Sequence, residues 1–224
     1  MREIVLDTET TGLDPKSGHR IVEIGAIELI NHIPTENIYH SYINPEREVD
    51  QGAFEVHGLS TQFLSQFAKF ENIIDEFSAF IKNDPLIIHN APFDVSFLDA
   101  ELLAIGYNTI DRNRIIDTLP MARKRFPGAQ VNLKALCRKY NIDNSHRDLH
   151  GALVDADLLA SVYLELIGGK QPGLGLAKEE KAPSIIESTA QKERTKRVFE
   201  VSGRELEAHS KLLDSFTDPI WRAE

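Results

Sequence analysis

The sequence predicts an α/β domain on a mixed sheet over residues 1–168, then a flexible linker over 169–197 and a C-terminal helical tail over 198–224. Three observations predict it. Strand-like runs with short connections come first, helical and strand-like patterns then alternate, and composition changes abruptly after Gly168-Gly169. Strands followed by alternating helix and strand favour one sheet covered by helices.

The elements can be justified in order. Ile4-Val5-Leu6 reads as a buried strand running into Asp7-Thr8-Glu9. In residues 20–30, Ile21, Glu23 and Gly25 alternate with Val22, Ile24 and Ala26, which suits a second strand. Residues 38–45 give a third, closed by Pro45, and the short connections suggest an antiparallel meander. Ile73, Ile74, Phe77 and Ile81 recur at helical spacing over 71–82. Residues 85–90 form a short buried strand, and 92–106 a helix ending at Gly106. Residues 114–119 suit another strand, and 119–126 and 132–142 further helices. The last helix of the domain follows His150, with Leu153, Ala156, Ala160 and Leu164 along one face.

Residues 169–197 are rich in Gly, Pro, Lys and Glu and read as linker. Order returns at Val198. Ser202 and Glu205 have capping-box spacing, and Val201 with Leu206 suits a hydrophobic staple. A helix of about 12–15 residues is marginal alone in water. Leu206, Leu213 and Phe216 on a helix over 203–216 therefore need a covering surface. There are no internal repeats.

Composition excludes some classes. Of 224 residues, 42% are hydrophobic and 27% charged, an ordinary globular balance. No apolar run approaches the roughly 18 residues of a membrane-spanning helix, and the N-terminal run ends in acids, unlike a signal peptide. The single cysteine, Cys137, lies at a helical core position; it reads as an inert buried thiol, and a reducing cytoplasm fits. A net charge of −10 argues against gripping long nucleic acid by its phosphates, unless metal ions make that contact.

The chemistry concentrates in acids. Asp7 and Glu9 project from one face of an extended strand, where two like charges repel unless a cation lies between them. Asp94, Asp155, Asp157 and His150 lie at strand ends or on the polar margins of helices. Carboxylates with no cysteine cluster suit hard divalent cations such as Mg²⁺ or Mn²⁺, and two such ions can clamp a displacement at phosphorus. Neutral His150 could then deprotonate the attacking water. Taken singly, each residue has a blander reading: a strand-end Asp caps a turn, and a His before a helix is surface. His19, His40, His89 and His146 lack a partner pattern and read as structural, and Asp157 as solvent-facing.

Together, "LDTETTGL" (6–13), "HNAPFD" (89–94) and "HGALVDA" (150–156) resemble the three exonuclease motifs of the DEDD superfamily, in its histidine branch, over about residues 3–168. The resemblance implies a ribonuclease-H-like fold and 3′→5′ exonuclease activity on single-stranded ends. It also implies catalytic roles for Asp7, Glu9, Asp94, Asp155 and His150, the first four as ligands of two divalent cations and His150 as general base. Asp7 would bridge both ions, Glu9 and Asp155 would hold the one carrying the nucleophilic water, and Asp94 would serve the leaving-group side. Asp7, Glu9, Asp155 and His57 would contact substrate, His57 lying in "AFEVHGL" (53–59), which looks like the family segment over the terminal nucleotide. Five residues before His57, replicative members can carry an acid where this chain has Gly52. Phe93 suits either a base contact or the core.

The layout as a whole resembles the proofreading subunits of bacterial DNA polymerase III. That implies a frayed 3′ DNA end as substrate and docking of 198–224, with Trp221, on the polymerase catalytic subunit. Gln171–Leu176 resembles sliding-clamp-binding peptides, though plain linker fits it nearly as well. Other readings are an RNA-end or repair exonuclease of the same branch, a phosphatase using Asp7 as nucleophile, and a scaffold with idle acids. The phosphatase leaves "HGALVDA" unexplained.

Overall fold

The computed structural model of the chain describes residues 1–145, 149–168 and 201–216. Contacts divide the chain into two units, Met1–Leu176 and Ala177–Glu224.

In the first unit, β1 (Arg2–Thr10), β2 (Ile21–Ile30) and β3 (Ile33–Tyr42) form the expected antiparallel meander. Two short helices follow, α1 (Gln51–His57) and α2 (Thr61–Leu64), then α3 (Phe70–Ile81). The alternating half comprises β4 (Leu86–Ile88), α4 (Ala91–Ala104), β5 (Ile115–Asp117), α5 (Thr118–Arg125), α6 (Leu133–Tyr140) and α7 (Ala152–Leu166). The sheet order is β3-β2-β1-β4-β5, with β4 and β5 parallel to β1. This is the mixed five-stranded sheet expected of a ribonuclease-H-like fold.

Strand periodicity sorts β1 between two cores. Ile4 and Leu6 face one layer with Phe77 of α3 and Phe97 and Leu98 of α4. Val5 faces the other, with Leu136 and Cys137 of α6 and Ala156, Leu159 and Ala160 of α7. Cys137 is fully buried, as expected of an inert thiol. The odd-numbered face also carries Glu3, Asp7 and Glu9, so α7 lies lengthwise beneath them. Its far end is fixed by the Tyr163 hydroxyl donating to the buried Glu3 carboxylate at 3.0 Å.

Some elements differ from the sequence expectation. β3 starts at Ile33 rather than at 38 because its first half is an exposed edge, paired only to β2 through a register shift, so its alternation is poor. Helices α1 and α2 were not expected; at seven and four residues they are too short to display an apolar period. In α7, Leu153 and Leu164 are only half-buried, whereas Ala152, Leu159 and Val162 are fully buried with Ala156 and Ala160. The helix packs on the sheet and on α5 and α6, so its core surface is broader than one stripe.

In the second unit, α8 (Gly203–Leu213) has the expected capping box: the Ser202 hydroxyl accepts from Glu205 N–H, and the Glu205 carboxylate accepts from Ser202 N–H at 3.0 Å. The helix stops three residues short of Phe216, and Val201 and Leu206 remain 56% and 57% exposed, little covered by a staple. The linker over 169–197, Gln171–Leu176, His146 and Trp221 lie outside the described residues. Among the described residues no helix is long and apolar enough to cross a membrane.

One close approach positions everything at the sheet's functional end. Gly25 pairs with Asp7 across β1 and β2. A Cβ there would sit 2.2 Å from Leu153 N and 2.3 Å from Ala152 C, inside the first turn of α7. Gly25→Ala must therefore push α7 off the sheet. We expect a loss of about 3 kcal/mol, the upper end of overpacking costs, read as a lower urea midpoint. Gly52→Ala, where a Cβ meets nothing within 4 Å on helix α1, should be neutral or stabilising by up to about 1 kcal/mol.

Candidate active site

Each acid arrives on an element whose placement follows from the fold. Asp7 and Glu9 end the core strand β1 on its α7 side. Asp155 sits in the first turn of α7 and Asp94 in that of α4, where the helix dipole favours a carboxylate. Asn90, in the left-handed region at φ 66°, turns the chain from β4 into α4, and its N–H donates to Asp117 Oδ1 at 3.0 Å. The turn after β1 is pinned twice. Thr11 N–H donates to Arg20 O at 2.9 Å, and the Arg20 guanidinium forms a bidentate pair at 2.7 and 2.6 Å with the buried Glu101 of α4.

These elements converge on one groove of about 730 Å³, lined by Asp7, Glu9, Asp94, Asp155 and His150. Glu9, Asp155 and His150 each present a ligand atom within 4.8 Å of the others. His150 Nδ1 lies 3.1 Å from Asp155 Oδ2, while the ring is 45% exposed and can meet solvent or substrate. Its backbone N–H donates to Val56 O of α1 at 3.1 Å, so α1 helps hold the histidine. Asp94 is buried, and its Oδ1 accepts from Thr8 N–H at 3.1 Å and Thr8 Oγ1–H at 2.7 Å. Burial pushes its carboxyl up to about 7, against the pull of those bonds.

A neighbouring lobe of about 590 Å³ shares Glu9 and Phe93 with the groove and is lined by Leu13, Ala53, Val56 and His57. His57 is buried, with both ring nitrogens engaged. Leu59 N–H donates to Nδ1 at 3.0 Å, so Nε2 carries the hydrogen and faces Thr10 O at 3.3 Å. Burial lowers its pKa, which keeps the ring neutral. In this arrangement His57 shapes the lobe rather than offering an unengaged ring nitrogen. Phe93 is half-buried, lining both lobes and packed against Phe97 at 5.1 Å.

Of the histidines read as structural, the three described ones are engaged by neighbours, and one of them also lines the groove. His19 and His40 contact Asp50 and Glu23, at 3.6 and 2.7 Å. His89 lines the groove itself, yet its ring bonds Thr118 Oγ1 at 2.8 Å and the Val131 backbone. Asp157 is exposed, as expected. Sequence reasoning missed Thr8, which clamps Asp94, and Asn90, Arg123 and Lys134, which line the groove. The first two sit inside the quoted motifs. The cations resemble ordinary helix-surface charges and carry no signal of their own.

The donor set is three buried or strand-end carboxylates, a fourth that burial holds near neutrality, and one imidazole. That chemistry fits hard divalent cations in a groove open to a chain end, and defines a phosphodiesterase-type centre on an exonuclease fold. Comparison agrees. Residues 4–163 match the Exonuclease (RNase_T) family. Exonuclease X in complex with 5′ overhanging duplex DNA shares the fold, with TM-score 0.60 and 23% identity over 74% of this chain and 90% of that one. So does the nuclease domain of 3′hExo, a DEDDh family member bound to rAMP, with TM-score 0.62 and 16% identity over 74% and 91%.

Two relatives narrow the family. DNA polymerase III subunit epsilon of Rickettsia felis is 46% identical over 221 residues, covering 96% of each chain. That of Escherichia coli K12 is 40% identical over 238 residues, covering 99% of this chain and 98% of the other. The chain belongs to the family of DNA polymerase III subunit epsilon, the proofreading 3′→5′ exonuclease, within a divalent-metal-dependent class of nucleases.

The Asp94 environment makes a pH prediction. Its folded-state value of about 7 lies above the ordinary 3.8, so without metal the folded chain keeps a proton that the unfolded chain releases. The stability contributed by this group therefore falls as pH rises through that window. Urea unfolding in chelator should show the fall for wild type and a smaller one for Asp94→Asn.

Proposed function

We propose that the chain removes mispaired 3′-terminal nucleotides from DNA, and that Asp7, Glu9, Asp94 and Asp155 hold two divalent cations, Mg²⁺ or Mn²⁺, with His150 as general base. The observation that carries this reading is the convergence of Glu9, Asp155 and His150 within 4.8 Å, in the groove that Asp7 and Asp94 also line. The bound cations supply positive charge against the phosphate oxygens. The chain's own residues do the rest. Val56, Ala53, Leu13 and Phe93 offer an apolar seat for the terminal nucleoside. In a neutral ring whose Nδ1–H donates to Asp155, His150 Nε2 carries the lone pair that takes the proton from the attacking water. The water oxygen bonds to phosphorus, the bond from phosphorus to the upstream 3′ oxygen breaks, and a 5′-mononucleotide leaves.

The partner reading follows the family. Relatives align over nearly the full length, tail included. Helix α8 exposes Leu206 and Leu212, and Phe216 follows three residues after its end, more than half of each in solvent, an apolar set suited to a groove on another protein. We assign 198–224 to docking on the polymerase catalytic subunit. Gln171–Leu176 is proposed as a clamp-binding peptide on its sequence alone.

Three measurements test this. Asp7→Ala should lower cleavage of a 3′-labelled single strand in Mg²⁺ by at least about 10³-fold without loss of folding; an unchanged rate would sink the metal assignment. His150→Ala should cost about 10²–10⁴-fold near neutral pH, with the deficit shrinking as pH rises and hydroxide replaces the base. Separately, a primer with a mismatched end should be trimmed faster when the polymerase catalytic subunit is added, and truncation after residue 197 should abolish that gain but not the basal cleavage.

A further inference from the structure

We propose that Arg123 and Lys134 form a phosphate-binding wall for the backbone on the 5′ side of the scissile bond, so that the groove holds a single strand and not only its last nucleotide. This rests on the exonuclease reading above. Four acids line the groove, and so do these two cations, Arg123 from α5 and Lys134 from the start of α6. Both are exposed. Elsewhere arginines are committed: Arg2 to Glu28, Arg20 to Glu101, Arg112 to Asp99. Among the described residues neither Arg123 nor Lys134 forms an ion pair. Arg123 has two basic neighbours in the last turn of α5, Lys124 and Arg125, yet only Arg123 faces the groove.

The wall is held in place. His89, at the end of β4, bonds Thr118 at the start of α5 and the Val131 backbone just before α6. Both cation-bearing helices are thus tied to the strand that leads into the Asp94 helix. The charge distribution also sets the direction of the strand. The lobe beyond Glu9 and Phe93 has apolar walls and no Lys or Arg among its lining residues, which suits a nucleoside. Among the described residues, Arg123 and Lys134 line the groove of Asp7, Asp94 and Asp155 and not the first lobe, whose charged lining groups are Glu9, Asp14 and Asp50. A strand with its terminal nucleoside in the first lobe and its scissile phosphate at the acids puts the next phosphate in reach of the cations. In a chain of net charge −10, two cations facing four acids gain most when a polyanion and metal ions arrive together.

The test compares two substrates in Mg²⁺. Thymidine 5′-(p-nitrophenyl phosphate) offers the terminal nucleotide with no upstream phosphate, and an oligothymidylate offers both. For Arg123→Gln/Lys134→Gln, the ratio of kcat/KM on the oligomer to kcat/KM on the ester should fall about tenfold. The slope of log KM against log salt on the oligomer should flatten by about 1.4, at roughly 0.7 per lost contact on a single strand. The charge-preserving Arg123→Lys/Lys134→Arg variant should recover most of the ratio. An equal fall on both substrates, or an unchanged ratio and slope, overturns the proposal and leaves the exonuclease reading standing. A wild-type chain that cleaves neither substrate overturns both.

Discussion

The site depends on the lengthwise packing of α7 along β1. Helix and strand meet at both ends: Tyr163 donates to the buried Glu3 at one, and Asp155 with His150 meets Glu9 at the other. Between them, Val5 packs among small and aliphatic side chains, and Gly25 lets the helix backbone approach the next strand at a distance no other residue permits. Two alanines in α7, Ala156 and Ala160, serve the same closeness. Small residues here are therefore a positional requirement of the chemistry. They bring the carboxylate of a helix to the carboxylates of a strand.

That closeness carries an electrostatic cost. Four carboxylates around one groove repel, and burial makes the repulsion worse. The chain manages it unevenly. Asp94 keeps a proton more readily than an ordinary carboxyl because it is buried, while Thr8 holds its orientation through two bonds to a single oxygen. Asp155 has the imidazole of His150 within 3.1 Å. Divalent cations would relieve both strains at once, displacing the proton from one acid and neutralising the others. Glu9, Asp155 and His150 already present ligand atoms within 4.8 Å of one another.

Much of this was legible in the sequence, and the exceptions have physical reasons. β1 announces itself as an apolar run buried on both faces, α3 by one periodic apolar face, and α7 by a long apolar pattern packed on the sheet and on two helices. The acids and His150 were legible because their chemistry fixes residue type and spacing. β3 was cut short because its first half faces water, and α1 and α2 escaped because helices of seven and four residues show no period. His57 illustrates a different limit. The sequence placed it near the terminal nucleotide, but only coordinates reveal that Leu59 and Thr10 occupy its ring nitrogens. Arg123 and Lys134 were invisible because a helix-surface cation gains meaning only from the groove it faces.

The acidic charge of the chain now has a consistent physical account. A nuclease that held long single strands tightly would also degrade correctly paired ends whenever they frayed. Among the described residues, two cationic side chains line the groove beside four acids, and no lysine or arginine lines the neighbouring lobe. Such a site suits brief contact with a chain end over a few nucleotides better than a firm grip on a long strand. Selectivity for mispaired ends then comes from how often an end frays, not from how firmly it is held. On the docking proposed above, tethering would supply the affinity: a nuclease joined to a polymerase would meet the primer end at a high effective concentration, roughly millimolar for short flexible linkers. On that proposal, weak intrinsic binding and a separate docking segment are two halves of one arrangement, and strengthening the first would undo the benefit of the second.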